Sequence, residues 1–140
     1  MCLGIGAALS PGARKTIILI GDGGFALNMG ELWTAIQENL DVVIIVGNDN
    51  GYGVIRQIQD KVAGGRRMYD DLLTPDLKEL AKVAGIPFWR VSRPEDFGAM
   101  VEQAVAVRGP TMVEIDMVTI GVFPPYFPIG PKVPTVSVPQ

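Results

Sequence analysis

The chain contains no histidine, and among its 140 residues there is a single cysteine, Cys2. Without histidine, the chain cannot supply a Ser-His or Cys-His catalytic arrangement or a histidine-ligated zinc site. A lone cysteine cannot form an internal disulfide, and Cys2 carries no feature of a nucleophile. These classes of chemistry are therefore set aside.

The sequence also lacks a strong charge of one sign and lacks long apolar runs. It has 12 basic and 15 acidic residues, a net charge of −3, and its tightest basic pair is Arg66-Arg67. We therefore expect no nucleic-acid partner. No apolar run reaches the roughly 18 residues that span a bilayer, so no membrane segment is predicted. The apolar start, Met1–Ala13, has no basic segment and is not taken as a signal peptide. A reducing, cytoplasmic location is the expectation.

What the chain does contain is enough apolar sequence for one globular domain, at 48% hydrophobic residues. Four short runs rich in β-branched residues predict strands: Thr16–Ile20, Val42–Val46, Phe88–Val91 and Met112–Ile115. The first two are nearly continuous in apolar residues, as expected of strands that are covered on both faces. Helical patterns lie between the runs, which indicates an α/β fold with a doubly wound parallel sheet and helices on both faces.

Helical spacing of i, i+3, i+4 and i+7 occurs three times, beginning at Met29, Leu77 and Phe97. Thr74-Pro75 reads as an N-cap followed by proline at the first helical position, with Asp76 in the first turn. The two glycines Gly85 and Gly109 are placed where C′ glycines belong.

Two segments depart from this alternation. Asn48–Leu73 has weak periodicity and is predicted to be a loop with a short helix, of the kind that is often functional. Val118–Gln140 is rich in proline and reads as an extended tail. The predicted division is therefore a cofactor-binding domain over 1–117 and a tail over 118–140.

Each of the first two predicted strands is followed by a small acidic loop. These are Gly21-Asp22-Gly23-Gly24 and Asn48-Asp49-Asn50-Gly51. Ligands of open α/β sheets bind beyond the carboxyl ends of the strands, so adjacent strands would bring Asp22 and Asp49 to one spot. Two carboxylates with backbone carbonyls suit Mg²⁺, and glycine N–H groups suit a diphosphate.

Simpler readings of these loops remain open. Both could be tight turns that bind nothing, and a flavodoxin-like mononucleotide site is a further alternative. The loop lacks the third glycine of the dinucleotide fingerprint G-x-G-x-x-G, and no Gly-Lys-Ser/Thr sequence is present for a Walker loop.

The paired loops resemble the "GDG…NN" motif of thiamine-diphosphate-dependent enzymes. The intervening "ELWTAIQENLDVVIIVGNDNGYGVIR" is similar to acetolactate synthase and related 2-oxo-acid decarboxylases, and the resemblance covers Met1–Met117. It implies thiamine diphosphate and Mg²⁺ as cofactors, with Asp22, Asp49 and the Gly51 carbonyl as metal ligands. It further implies that the remaining cofactor contacts are Met1, Gly21, Gly23, Gly24, Tyr52 and Gly53.

The resemblance also implies a reaction and a partner. The reaction is decarboxylation of a 2-oxo acid followed by carboligation or protonation. The alternatives are a simple decarboxylase of the benzoylformate or sulfopyruvate type, or a non-catalytic fragment. In the family the glutamate that activates the cofactor lies on another domain, usually of a partner subunit. Relative to that family the chain is truncated at its N-terminus, and no catalytic residue is assigned within it.

Two expectations about the isolated chain follow from that missing domain. The chain is expected to turn over no substrate alone. It is also expected to associate with itself or with a partner through an apolar patch formed by the glycine-rich start, Phe25, Met29, Trp33 and the proline-rich tail.

Overall fold

The computed structural model describes residues 1–121, and their strands form one four-stranded parallel sheet in the order β1-β2-β4-β3. The strands are β1 (Thr16–Gly21), β2 (Val42–Asn48), β3 (Phe88–Val91) and β4 (Thr111–Asp116). All four strands predicted from the sequence are confirmed, with ends that differ by at most two residues. The α/β fold with a parallel sheet is confirmed as well.

The helices cover both faces of this sheet. They are α1 (Cys2–Ala8), α2 (Asp22–Leu27), α3 (Glu31–Gln37), α4 (Gly53–Val62), α5 (Leu77–Ala84), α6 (Phe97–Ala106) and α7 (Met117–Ile120), with a 3₁₀ turn at Pro94–Asp96. The three predicted helical patterns correspond to α3, α5 and α6. Within residues 1–121, no helix has the length and apolar character needed to cross a bilayer.

Two predicted helix caps differ in the structure. The N-cap of α5 is Asp76 and not Thr74, because the Asp76 carboxylate accepts the N–H groups of Lys78 at 2.8 Å and Glu79 at 3.1 Å. Gly85 does end α5, in the left-handed conformation at φ 68°. Gly109 also has a positive φ, 84°, but it lies in the turn before β4, since α6 ends at Ala106.

The segment expected to be a loop with a short helix contains α4, which is ten residues long. The short helix α7 crosses the predicted boundary between 117 and 118. Most of the predicted tail, 122–140, lies outside the described residues.

The core has two layers, one on each face of the sheet. The first is built on Ile18, Val42 and Ile44 under α1, α2, α3 and α5, and the second is built on Val43 and Ile45 under α6. Both layers use alternate residues of β2, which explains why this strand is apolar from Val42 to Val46.

The predicted apolar patch is only partly exposed. Phe25 is 1% exposed and therefore cannot contribute to it, and Met29 packs against the first core layer. Trp33 is 47% exposed. The expectation for Phe25 was wrong because α2 folds back onto the sheet and turns this ring inward.

At the amino end of the sheet, an ion pair and its hydrogen bonds link the segments that precede β1, β2 and β4. Lys15, just before β1, pairs with Asp41, just before β2, at 2.6 Å. The Lys15 ammonium also donates to the carbonyls of Val107 and Gly109, and Gly109 N–H donates to Asp41 at 3.1 Å. The Lys15 hydrogen bond lowers the pKa of Asp41. The Lys15 ammonium, neutralised by Asp41, therefore holds the strand starts together at this end of the sheet.

Leu32→Ala should destabilise the chain by about 2–5 kcal/mol, because Leu32 is fully buried in the first core layer and its loss leaves a cavity. Leu27→Ala is the matched control, since Leu27 is 78% exposed at the end of α2. Urea unfolding of both variants measures the difference. Equal midpoints for the two variants would show that α3 does not pack as described.

Candidate functional site

The two acidic loops meet at the carboxyl end of the sheet. The parallel pairing of β1 with β2 sets Ile20 beside Val46 and Gly21 beside Gly47. Asp22 follows the first strand directly and begins α2, while Asp49 follows the second. The convergence predicted from the sequence is therefore what the structure has. A cavity of about 640 Å³ opens there, lined by Leu19, Ile20, Gly21, Asp22, Gly47, Asp49, Gly51, Gly53, Val54, Gln57, Ile115, Met117, Ile120 and Gly121.

Asp22 is the most buried of the cavity's acids, at 3% exposure. Its Oδ1 accepts the N–H of Gly23 at 2.7 Å, and its Oδ2 accepts the N–H of Gly51 at 3.0 Å. The second of these bonds fastens the loop after β2 to the loop after β1. Among the described residues, no Lys or Arg forms an ion pair with this carboxylate, so its charge is met only by backbone dipoles.

The pKa of Asp49 reflects its burial and its closeness to Asp22. Burial raises the pKa of Asp49, and the negative charge of Asp22 raises it further, while Arg56 acts in the opposite direction. A bound cation would relieve the burial of the Asp49 carboxylate and its repulsion by Asp22.

The donor set at this site fits one kind of metal. Within residues 1–121, no group of three or more His, Cys, Asp and Glu side chains is placed to hold a metal ion. A cation here would need the two carboxylates, a backbone carbonyl and oxygens from a ligand or water. Mg²⁺ is bound in this way, through one or two carboxylates plus phosphate oxygens. The residues present therefore fit a magnesium-bound diphosphate.

Three of the predicted glycines are required by close approach. A Cβ on Gly23 would lie 2.7 Å from the ring of Tyr52, and a Cβ on Gly51 would lie 2.7 Å from the Asp70 carbonyl oxygen. A Cβ on Gly53 would collide with the Asp49 carboxylate. Side chains at these positions would push the loops apart or displace an acid from the cavity.

The other predicted contacts are placed differently. Gly21 lines the cavity with open space around it, and Gly24 lies against Ile20 without lining the cavity. Met1 is the N-cap residue of α1, packs against the first core layer and is not among the lining residues. Its assignment as a cofactor contact stays a prediction.

Arg56 is a site residue that the sequence analysis missed. Its Nη1 donates to the Asp49 carbonyl at 3.2 Å and its Nη2 to the Asn50 carbonyl at 3.0 Å. Its Nε pairs with Asp70 at 3.3 Å. Its position in the first turn of α4, seven residues past Asp49, was the available signal, but that segment was interpreted as mostly loop.

A sequence model of the family described as "Thiamine pyrophosphate enzyme, C-terminal TPP binding domain" matches residues 1–115. The chain belongs to this family. It is similar to the catalytic subunit of acetolactate synthase from Saccharomyces cerevisiae, at 28% identity over 81% of this chain and 16% of that protein.

Two further relatives cover the same region. One is an alpha-keto-acid decarboxylase from Mycobacterium bovis, at 33% identity over 81% of this chain and 20% of that protein. The other is the acetolactate synthase large subunit of Cyanidium caldarium, at 29% identity over 82% of this chain and 20% of that protein. The chain thus spans about a fifth or less of the length of these relatives.

Gly51→Ala should destabilise the chain by about 1–3 kcal/mol, because the new methyl group must displace Arg56 and the Asp70 backbone. Gly21→Ala is the control, since nothing lies within 4 Å of its Cβ position and its φ of −79° is open to alanine. Thermal unfolding of both variants reports the difference. A Gly51→Ala variant as stable as Gly21→Ala would contradict the close packing of the loop after β2.

Proposed function

We propose that this chain binds thiamine diphosphate through a Mg²⁺ ion held by Asp22, Asp49 and the carbonyl of Gly51. The observation that carries the proposal is the pair of converging carboxylates, one of them buried without a cationic partner among the described residues. Membership in the thiamine pyrophosphate family supplies the cofactor, and the acid pair supplies the reason for the metal.

The shape of the cavity supports the same ligand. Its lining combines the carboxylates of Asp22 and Asp49 with the apolar side chains of Leu19, Val54, Ile115 and Ile120. A ligand with a charged diphosphate end and an apolar ring system suits such a lining. Gly21, Gly23, Gly24, Gly53 and Tyr52 are the remaining proposed contacts on the diphosphate side.

The proposed reaction is that of an acetolactate-synthase-like enzyme, decarboxylation of a 2-oxo acid followed by carboligation. When bound, thiamine diphosphate supplies the electron sink for breaking a carbon–carbon bond beside a carbonyl group. This chain's residues would hold the charged end of the cofactor and orient it. A simple 2-oxo-acid decarboxylase is the second candidate, favoured by the 33% identity to a protein of that name. Acetolactate or free aldehyde as the product from pyruvate separates the two.

The proposal includes a partner. We infer that a further domain or chain carries the glutamate that activates the cofactor and that the two assemble as an oligomer. Glu31 lies in α3 and Glu114 is engaged by Arg90 and Asn48, so neither acts as a free acid–base group at the cavity.

Asp22→Ala should abolish Mg²⁺-dependent binding of thiamine diphosphate, because it removes a metal ligand and the anchor of the Gly51 N–H. Asp49→Asn should change the affinity by about threefold or less, since an amide oxygen can replace a carboxylate oxygen. Isothermal calorimetry with and without Mg²⁺ measures both effects. Glu102→Gln, at an exposed position of α6, is the charge-loss control.

Circular dichroism must show that Asp22→Ala stays folded for this comparison. Retained Mg²⁺-dependent binding in a folded Asp22→Ala chain would overturn the metal assignment.

The chain alone should show no measurable turnover of pyruvate with thiamine diphosphate and Mg²⁺. General acid–base assistance contributes about 10²–10⁴ in rate, and no described residue supplies it at the cavity. A coupled assay for acetolactate and acetaldehyde checks this, with and without a chain that carries the glutamate domain. Robust product formation by the purified chain alone would refute the need for a partner.

A further inference from the structure

Glu114 is a buried carboxylate that the proposed cofactor contacts do not use. It is 2% exposed on β4, in register with Val46 of β2 and Arg90 of β3. Its Oε2 accepts from Arg90 Nε at 2.7 Å, and its Oε1 accepts from Asn48 Nδ2 at 2.8 Å. Because the Arg90 side chain is 44% exposed, its ion pair with Glu114 contributes little net stability for a carboxylate that is itself buried. The second partner of Glu114, Asn48, gives the carboxylate a role beyond packing.

The carboxylate decides which way the Asn48 amide faces. A carboxylate can only accept, so Asn48 must present its NH₂ group, and not its oxygen, to Glu114. The Asn48 oxygen is thereby turned toward the backbone that follows, where it accepts the N–H of Asn50 at 3.2 Å. With an apolar residue at 114, only the Asn50 N–H would favour this orientation of the amide, and its NH₂ group would lack its partner.

The bond from Asn50 to Asn48 closes a turn around Asp49. Asn50 adopts the left-handed conformation at φ 55°, which is unfavourable for most residues and which a local side-chain hydrogen bond helps to hold. On the other side of the turn, Arg56 holds the carbonyls of Asp49 and Asn50. The loop is thus fixed through its N–H groups and through its carbonyls at once.

We propose that Glu114 is a positioning residue, which fixes the Asn48 amide and so sets the shape of the loop that presents Asp49 and Gly51 to the cation. The inference rests on the proposed function, because the ligand roles are assigned there. Glu114 is not among the residues that line the cavity, so it would act on cofactor binding indirectly, and we assign that effect to its contact with Asn48.

A reversal of hydrogen-bond direction tests this. In Glu114→Gln, the single amide oxygen goes to Arg90 or to Asn48, so an NH₂ group at position 114 is left facing the other donor. Adding Asn48→Asp restores the match, because the carboxylate introduced at position 48 accepts from both the amide introduced at position 114 and the Asn50 N–H. In Asn48→Asp alone, the new carboxylate lies against the Glu114 carboxylate, and the two repel each other. Thr111→Val is the control, a buried polar residue at the far end of the same strand.

The first readout is the amide resonances of Asn50 and Gly51 in the 140-residue chain without cofactor. Both should shift in each single variant and return toward their wild-type positions in the double variant. The second readout is Mg²⁺-dependent affinity for thiamine diphosphate by calorimetry. Each single variant should bind about tenfold more weakly or worse, the double variant should recover to within about threefold, and Thr111→Val should bind as wild type does.

Unshifted Asn50 and Gly51 resonances in Glu114→Gln, or losses of affinity that simply add in the double variant, would overturn the proposal. If Glu114→Gln does not fold, Asn48→Ala asks the same question from the loop, since it removes both amide bonds without burying a charge. A wild-type chain that binds no thiamine diphosphate would refute the proposed function instead, and the resonances would still decide whether Glu114 shapes the loop.

Discussion

The parallel pairing of β2 with β1 on one side and β4 on the other is the constraint on which the site depends. The register sets Gly21 beside Gly47 and Asn48 beside Asp116, so the loops that follow β1 and β2 leave the sheet at the same height. A slip of one residue would exchange the two faces of a strand and move one loop away from the other. Because β2 is apolar on both faces from Val42 to Val46, its own side chains do not distinguish the two registers. The helices that pack on each face of the sheet select the observed one.

Charge is arranged differently at the two ends of the sheet. At the amino end, the Lys15 ammonium meets the Asp41 carboxylate directly. At the carboxyl end, Arg56 is close to the acidic loops, but its hydrogen bonds go to backbone carbonyls and its ion pairs go to Asp70 and Asp71. The Arg56 guanidinium thus fixes the loop after β2 through its backbone carbonyls. The Asp49 carboxylate in that loop is left available to another cation.

Much of this could be predicted from the sequence, because the signals were local. The strands are short β-branched runs, and Asp22 and Asp49 each lie just after one, so a parallel sheet in which those two strands are adjacent implies that they meet. The burial of Phe25 depends on how α2 packs, which no local pattern records. The role of Glu114 could not be predicted for a related reason. Its partner Asn48 is 66 positions away, and only the strand register brings the two together.

Strand β1 has a consequence for the chain's behaviour in solution. Within residues 1–121 it pairs on one side only, and the register that sets Ile17 beside Val43 and Leu19 beside Ile45 puts both residues on the second face, where they are 53% and 74% exposed. A strand edge with free hydrogen-bonding groups and apolar side chains is a template on which other chains can add. Overexpression of this sequence without a covering segment therefore invites sheet extension and precipitation, and a lysine in place of Ile17, which does not line the cavity, is the natural first remedy.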